Sequence, residues 1–211
     1  MKREVPRSAM LDFIFIIGPS GVGKTTLAAR LYKQLGGVYI EQNAVPEFEI
    51  PAYVKDIGVY EEQVCWGCVL RQAEYFHSLG LHNIVILDFD DLRAREIPLL
   101  FKGHRYIIIR LYSSDPEQLR AQMAHRRDNE GGLYAPQGIA EVNERISSRP
   151  LLPNEVKTDV AGKDREQVLS EVLGIINGFE PQLDYEYELC GTDGYLSWVH
   201  SRELGWELIC K

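Results

Sequence analysis

The stretch Leu11-Asp12-Phe13-Ile14-Phe15-Ile16-Ile17-Gly18-Pro19-Ser20-Gly21-Val22-Gly23-Lys24-Thr25-Thr26 decides the fold of this chain. Its first half is an apolar run, rich in β-branched residues and broken only at Asp12, that stops at Gly18. That is the pattern of a strand buried on both faces of a parallel sheet. From Thr25 to Leu35 the apolar residues Leu27, Ala28, Leu31 and Leu35 fall at helical spacing, and Gly36-Gly37 ends the helix. Between strand and helix lies G-x-x-x-x-G-K-[ST], from Gly18 to Thr25. A glycine-rich turn in that position aims backbone N–H groups into one concavity at the positive end of the helix dipole, where phosphate oxygens collect. The expected nucleotide-binding residues are Gly18, Ser20, Gly21, Val22, Gly23, Lys24, Thr25 and Thr26. Lys24 is expected to reach the β- and γ-phosphates, and the Thr25 hydroxyl to hold Mg²⁺. The expected cofactors are therefore ATP and Mg²⁺, although these residues do not separate ATP from GTP.

Working outward, the same alternation recurs. Val38 to Glu41 reads as a short strand, Glu61 to Leu79 as a long helix stopped by Gly80, and Asn83 to Leu87 and Arg105 to Leu111 as buried strands. Asp115-Pro116-Glu117 supplies a helix cap, a proline at the first helical position and an acid in the first turn, predicting a helix to about Arg127. Glu155 to Val160 is a weaker last strand, and Asp164 to Asn177 a helix patterned by Val168, Leu169, Val172, Leu173 and Ile176. Strands alternating with helices predict an α/β fold with a parallel sheet covered on both faces. Asn43 to Ile57, rich in proline, aromatics and acids, reads as a long functional loop. Phe179 to Lys211 follows the last βα unit and reads either as an appendage or as a cover for the site.

A length of 211 residues suits one domain with added elements, and 45% hydrophobic with 26% charged residues excludes a largely disordered chain. The net charge of -8 argues against nucleic acid or a membrane surface as partner, since both demand a basic face. Asp12 interrupts the apolar run after Lys2 and Arg3, so the start does not read as a secretion signal, and no stretch approaches the length of a membrane span. Four cysteines, Cys65, Cys68, Cys190 and Cys210, are too few and too unevenly spaced for a disulfide scaffold, which fits a reducing cytoplasm. The Cys65-x-x-Cys68 pair reads as small apolar positions on a helix beside Trp66 rather than as a metal site.

Ligands of parallel sheets lie beyond the carboxyl ends of the strands. Asp88, Asp90 and Asp91 follow the third strand, and Asp88 is the candidate Mg²⁺ ligand, while Asp91 reads as a cap for a helix starting near Leu92. Glu41 ends the second strand as a candidate base or acceptor ligand, with a solvated loop acid as the alternative. Arg126 and Arg127, with Arg120, lead into Asn129-Glu130-Gly131-Gly132, a hinge-like stretch suited to an arginine-bearing lid over about residues 120–150. Arg145 and Arg149 follow, as a second side of that lid or as solvated surface. Arg71, alone on an apolar helix, is a candidate acceptor contact or half of a buried ion pair.

These residues together resemble the P-loop kinases of small molecules, in particular the nucleoside and nucleotide kinase group, over about residues 11 to 177. The resemblance implies a three-layer α/β/α fold with a five-stranded parallel sheet and a lid whose arginines clamp the phosphates. Glu41 after the second strand is similar to the catalytic glutamate of deoxynucleoside kinases, and Arg127-Asp128-Asn129-Glu130-Gly131-Gly132-Leu133-Tyr134 is similar to the lid of adenylylsulfate kinases. It implies a kinase domain over residues 1–178 and an appendage over 179–211. The expected activity is transfer of the γ-phosphoryl of ATP to a small acceptor, a nucleoside or nucleotide first, with Lys24, Glu41, Arg126 and Arg127 catalytic, Glu41, Arg71 and Asp88 at the acceptor, and Thr25 and Asp88 on the metal. The rival readings are a nucleotide switch, an ATPase module or a non-catalytic scaffold. Oligomeric state is left open, a homodimer being one option.

Overall fold

The computed structural model describes residues 10–42, 44–54, 57–87, 91, 93–130 and 138–189, with Val59 and residues 126–130 described by their backbone alone. In chain order the elements are β1 (Phe13–Ile17), α1 (Lys24–Leu35), β2 (Val38–Glu41), α2 (Ile57–Ser78), β3 (Ile84–Leu87), α3 (Ile97–Leu100), β4 (Tyr106–Tyr112), α4 (Pro116–Glu130), α5 (Ile139–Ser148), β5 (Glu155–Asp159) and α6 (Arg165–Gly178). The five strands are all parallel, in the order β2-β3-β1-β4-β5. Phe13 sits in register with Ile84 on one side and Tyr106 on the other, so β1 is the central strand.

A central parallel strand buries both of its faces, and the period of two divides its side chains between two cores. Phe13, Phe15 and Ile17 pack with Trp66, Val69 and Ala73 of α2 and with Ile97 and Phe101. Ile14 and Ile16 turn the other way, onto Leu27 and Leu31 of α1 and Val172 and Ile176 of α6. The three-layer α/β/α architecture expected from the alternation is thus formed.

Two helix starts follow the capping residues. Asp115 Oδ1 accepts from the backbone N–H of Glu117 and Gln118, each at 3.1 Å, ahead of Pro116 in α4. Asp164 and Gln167 close a reciprocal capping box on α6. Elsewhere the structure departs from the sequence expectation. The α2 helix starts at Ile57 instead of Glu61, and α5 is an additional helix between α4 and β5, within the stretch expected as a lid. The helix expected near Leu92 is the short α3, starting only at Ile97, because Asp91 is drawn away to an arginine.

That arginine is Arg149. Its Nε and Nη2 donate to the two Asp91 oxygens at 2.9 and 3.0 Å, and its Nη1 and Nη2 donate to Glu155 at 3.1 and 2.7 Å. Arg110 lies on the other side of Glu155, with Nε 3.1 Å from Oε1, and its Nη1 donates to the carbonyls of Ile146 and Arg149 at 2.7 Å each. The Arg149 side chain is only 6% exposed, so it serves as a lock among α5, β5 and the segment after β3, not as solvated surface.

The segment after α6 is docked as far as it is described. Tyr185 donates to the carbonyl of Pro98 at 2.7 Å and meets the Tyr106 hydroxyl at 2.7 Å, while Tyr187 donates to the carbonyl of Arg95 at 2.9 Å. Asn154 and Gln182 exchange two hydrogen bonds, at 2.8 and 2.9 Å. Residues 179–189 therefore strap across α3, β4 and β5, and Cys190 to Lys211 lie outside the described residues.

Removing one partner from a buried ion network strands the others without water. Arg149→Ala is expected to cost about 3–5 kcal/mol in urea unfolding, and Arg149→Lys to recover only part of it, because an ammonium cannot bridge two carboxylates bidentately.

Candidate functional site

The phosphate loop leaves the carboxyl end of β1 and enters α1 through three glycines with positive φ: Gly18 at 143°, Gly21 at 82° and Gly23 at 102°. Two of them are also fixed by space. A Cβ on Gly18 would lie 2.4 Å from the carbonyl oxygen of Leu111 at the end of β4, and one on Gly21 would lie 2.6 Å from the sulfur of Met123 on α4. The loop is thus pressed between a strand end and a helix. No side chain caps α1 and no acid stands in its first turn, which leaves the positive end of its dipole for an external anion.

Lys24 is 8% exposed, and its Nζ donates to the carbonyls of Gly18 at 2.6 Å and Pro19 at 3.2 Å. The ammonium is held across the loop itself. Thr25 is exposed at the helix start, while Ser20 and Thr26 are partly so. Val22 turns its side chain into the core and its N–H to the Pro19 carbonyl at 3.3 Å, so it shapes the loop.

Glu41 ends β2 half-buried, and Tyr39, two residues earlier on the same face, donates to its Oε2 at 3.1 Å. Burial and the Glu41 charge push the Tyr39 hydroxyl above its ordinary range, keeping it a neutral donor. Arg71 faces solvent and pairs with Glu74 at 2.9 Å, so the buried pair that the sequence allowed is not formed. Arg120 is likewise on the surface, paired with Glu117 of its own helix. Asp88 lies outside the described residues, as do the side chains of Arg126 and Arg127, which stand on the last turns of α4. The described part of the loop after β2, residues 44–54, carries no regular element and exposes Phe48 and Tyr53.

The sequence did not disclose the polar network beneath this region. Gln42 Nε2 donates to Glu62 Oε1 at 2.7 Å, and Arg93 Nε donates to the same oxygen at 3.0 Å. Arg93 Nη1 reaches both oxygens of Glu96, at 3.2 and 3.3 Å, and the guanidinium carbon lies 5.9 Å from the Trp66 ring centroid. Both Arg93 and Glu96 are 0% exposed. Gln42 also extends the ladder by donating its N–H to the Leu87 carbonyl at 3.2 Å. The network therefore stiffens the carboxyl ends of β2 and β3, next to Asp88 in sequence. A spacing signal exists in Glu62 and Trp66 at i, i+4 and Arg93 and Glu96 at i, i+3, but only the fold joins the two pairs.

Burial pushes Glu96 from 4.5 up to about 7, against the pull of Arg93, and pushes Glu62 up as well. Between 4.5 and about 7 the unfolded chain releases the Glu96 proton while the folded chain keeps it, so stability falls as pH rises through that window. Urea unfolding at pH 4.5, 6 and 8 is expected to show this loss, and Glu96→Gln to flatten it.

Comparison with known proteins agrees with this geometry. A family model described as "AAA domain" matches residues 13–145, more than half of the chain. The gluconokinase from Sinorhizobium meliloti 1021 superposes with a TM-score of 0.53 at 17% identity, over 77% of this chain and 90% of that one. The shikimate kinase from Aquifex aeolicus vf5 gives 0.50 at 19% identity, over 79% of this chain and 96% of that one. At such identities the likeness is one of fold. Human tRNA dimethylallyltransferase is 22% identical over 158 residues, 66% of this chain and 33% of that protein. The chain thus spans about a third of the length of the curated relative it matches. Loop, strand order and matched residues converge: the chain belongs to the AAA domain family and has the fold of the P-loop small-molecule kinases.

Proposed function

We propose that the protein is a kinase that transfers the γ-phosphoryl group of ATP, with Mg²⁺, to a small acceptor, a nucleoside or nucleotide before other hydroxyl compounds. The observation that carries this is Lys24, whose buried ammonium spans the loop carbonyls at the uncapped start of α1. A nucleotide phosphate offers that ammonium a charged acceptor in place of two neutral carbonyls. The Thr25 hydroxyl, exposed at the same helix start, fits a hard cation, and Asp88 is the proposed second ligand. A bound Mg²⁺ supplies charge neutralisation between the phosphates. Lys24 and the loop N–H groups hold the equatorial oxygens, and Arg126 and Arg127 approach from the lid. Glu41, oriented by Tyr39, takes the proton of the acceptor hydroxyl as its oxygen bonds to phosphorus and the bond to ADP breaks. Arg71 belongs to this reading as an acceptor contact only if it exchanges Glu74 for substrate.

No helix among the described residues is long and apolar enough to cross a membrane. Work in the cytoplasm, on small molecules and apart from nucleic acid, completes the proposal, and the free thiols of Cys65 and Cys68 suit it. A second reading comes from the curated relative, whose name specifies dimethylallyl transfer to tRNA. The net charge of -8 weighs against it.

Labelled γ-phosphate from ATP, offered with nucleosides, nucleoside monophosphates, sugars and other small alcohols, is expected to appear in one acceptor class. Lys24→Ala should lower the rate on the order of 10²–10³-fold. Glu41→Gln should lower it on the order of 10²–10⁴-fold with ATP binding unchanged. Tight ATP binding with no labelled acceptor would favour a switch or scaffold. Incorporation of labelled dimethylallyl diphosphate into RNA would favour the second reading.

A further inference from the structure

Five histidines occur in the chain, and His77, His82 and His104 gather around one carboxylate, that of Asp12. Asp12 stands just before β1, His82 shortly before β3 and His104 shortly before β4, while His77 is in the last turn of α2. Because every strand is parallel, this is the amino-terminal rim of the sheet, the end opposite the phosphate loop.

The carboxylate is held before any ligand arrives. Asp12 Oδ1 lies 3.0 Å from His82 Nδ1, and Oδ2 accepts the backbone N–H of Arg105 at 3.0 Å. Each oxygen keeps a lone pair. His77 Nδ1 faces Oδ1 at 3.9 Å and His104 Nδ1 faces Oδ2 at 3.9 Å, too far for hydrogen bonds. His77 Nδ1 is sealed from solvent and has no hydrogen-bond partner among the described residues, so an imidazole nitrogen is buried with nothing to satisfy it. One donor atom from each of Asp12, His77 and His104 lies within 4.8 Å of the others. Phe13 and Phe101 wall the cluster on the apolar side, with Phe13 5.1 Å from His77 and 5.3 Å from His104 between ring centroids. The side chains of Asp12, His77 and His104 are 14%, 29% and 41% exposed, which leaves an entry path.

We propose that Asp12, His77 and His104 bind one divalent transition-metal ion, Zn²⁺ first, with His82 and the Arg105 amide fixing the carboxylate from behind. Two imidazoles are borderline donors that, with one carboxylate, suit Zn²⁺, whereas Mg²⁺ and Ca²⁺ prefer oxygen donors throughout. Metal–ligand distances of about 2.0–2.2 Å set donors roughly 3.3–3.6 Å apart in a tetrahedron. The 3.9 Å gaps to the carboxylate, and separations within 4.8 Å across the cluster, therefore close with side-chain movements of about 1 Å or less. Water takes the fourth position. The ion satisfies the orphaned His77 nitrogen and ties the end of α2 to the starts of β1 and β4.

Zn²⁺ titrated against a chromophoric chelator is expected to show one site per chain, and Co²⁺ to give the visible bands of a tetrahedral site. His77→Gln and His104→Gln should each weaken binding at least 100-fold, and His82→Gln, which removes an outer support, about 10–100-fold. Lys24→Ala and the double variant Cys65→Ser/Cys68→Ser should bind as the unaltered protein does. No stoichiometric site, affinity that survives both His77→Gln and His104→Gln, or affinity lost with the cysteines would overturn the proposal. In case the histidine variants fail to fold, diethylpyrocarbonate labelling of the unaltered protein gives an independent reading. Zn²⁺ should shield His77 and His104 and leave exposed His125 reactive, and equal labelling with and without Zn²⁺ would equally overturn it.

Discussion

The absence of a side chain at Gly18 is the constraint on which the rest of the site depends. The chain must leave β1 while β1 is still paired to β4, and the Leu111 carbonyl occupies the space where any Cβ would sit. Given that contact, the turn has one course, and α1 begins with its amides beside the sheet and its dipole pointed at the carboxyl edge. Gly21 repeats the arrangement against Met123, so the loop touches α4, the helix that carries Arg126 and Arg127. The Ser113 N–H and carbonyl are both engaged by Asn143, at 3.0 and 2.8 Å, which pins α5 to the end of β4.

Electrostatics assigns the arginines differently from their order in the sequence. Arg93, Arg110 and Arg149 are buried and committed to carboxylates, where their planar forks can satisfy two partners at once. Arg71 and Arg120 pair with acids on their own helices in water, where such pairs contribute little. What sequence reading groups as a basic lid therefore separates into a structural lock, a solvated surface and the two residues Arg126 and Arg127.

How much of this was legible follows from the range of the forces. The strands, the phosphate loop and the caps at Asp115 and Asp164 are written in neighbouring residues, because periodicity, turn chemistry and capping act within a few positions. Asp91 was misread for the opposite reason: a local cap lost to a bidentate partner far along the chain. The cluster of Gln42, Glu62, Arg93 and Glu96, and that of Asp12, His77 and His104, join residues from separate elements, and no local spacing links those elements until the sheet order is known. The additional helix α5 follows Gly138, whose left-handed φ of 85° makes it an N-cap without a side-chain oxygen, the signal normally sought.

The strand order β2-β3-β1-β4-β5 also governs when the molecule can assemble. Synthesis delivers β1 first, yet both of its neighbours, β3 and β4, come much later in the chain. Until they arrive, Phe13 to Ile17 is an apolar, β-prone segment with no edge to pair with, the kind of stretch that invites association between nascent chains. The most deeply buried strand of the finished protein is thus its greatest liability on the ribosome. The chain is committed to a non-local, comparatively slow closure in which the sheet grows outward from its oldest member.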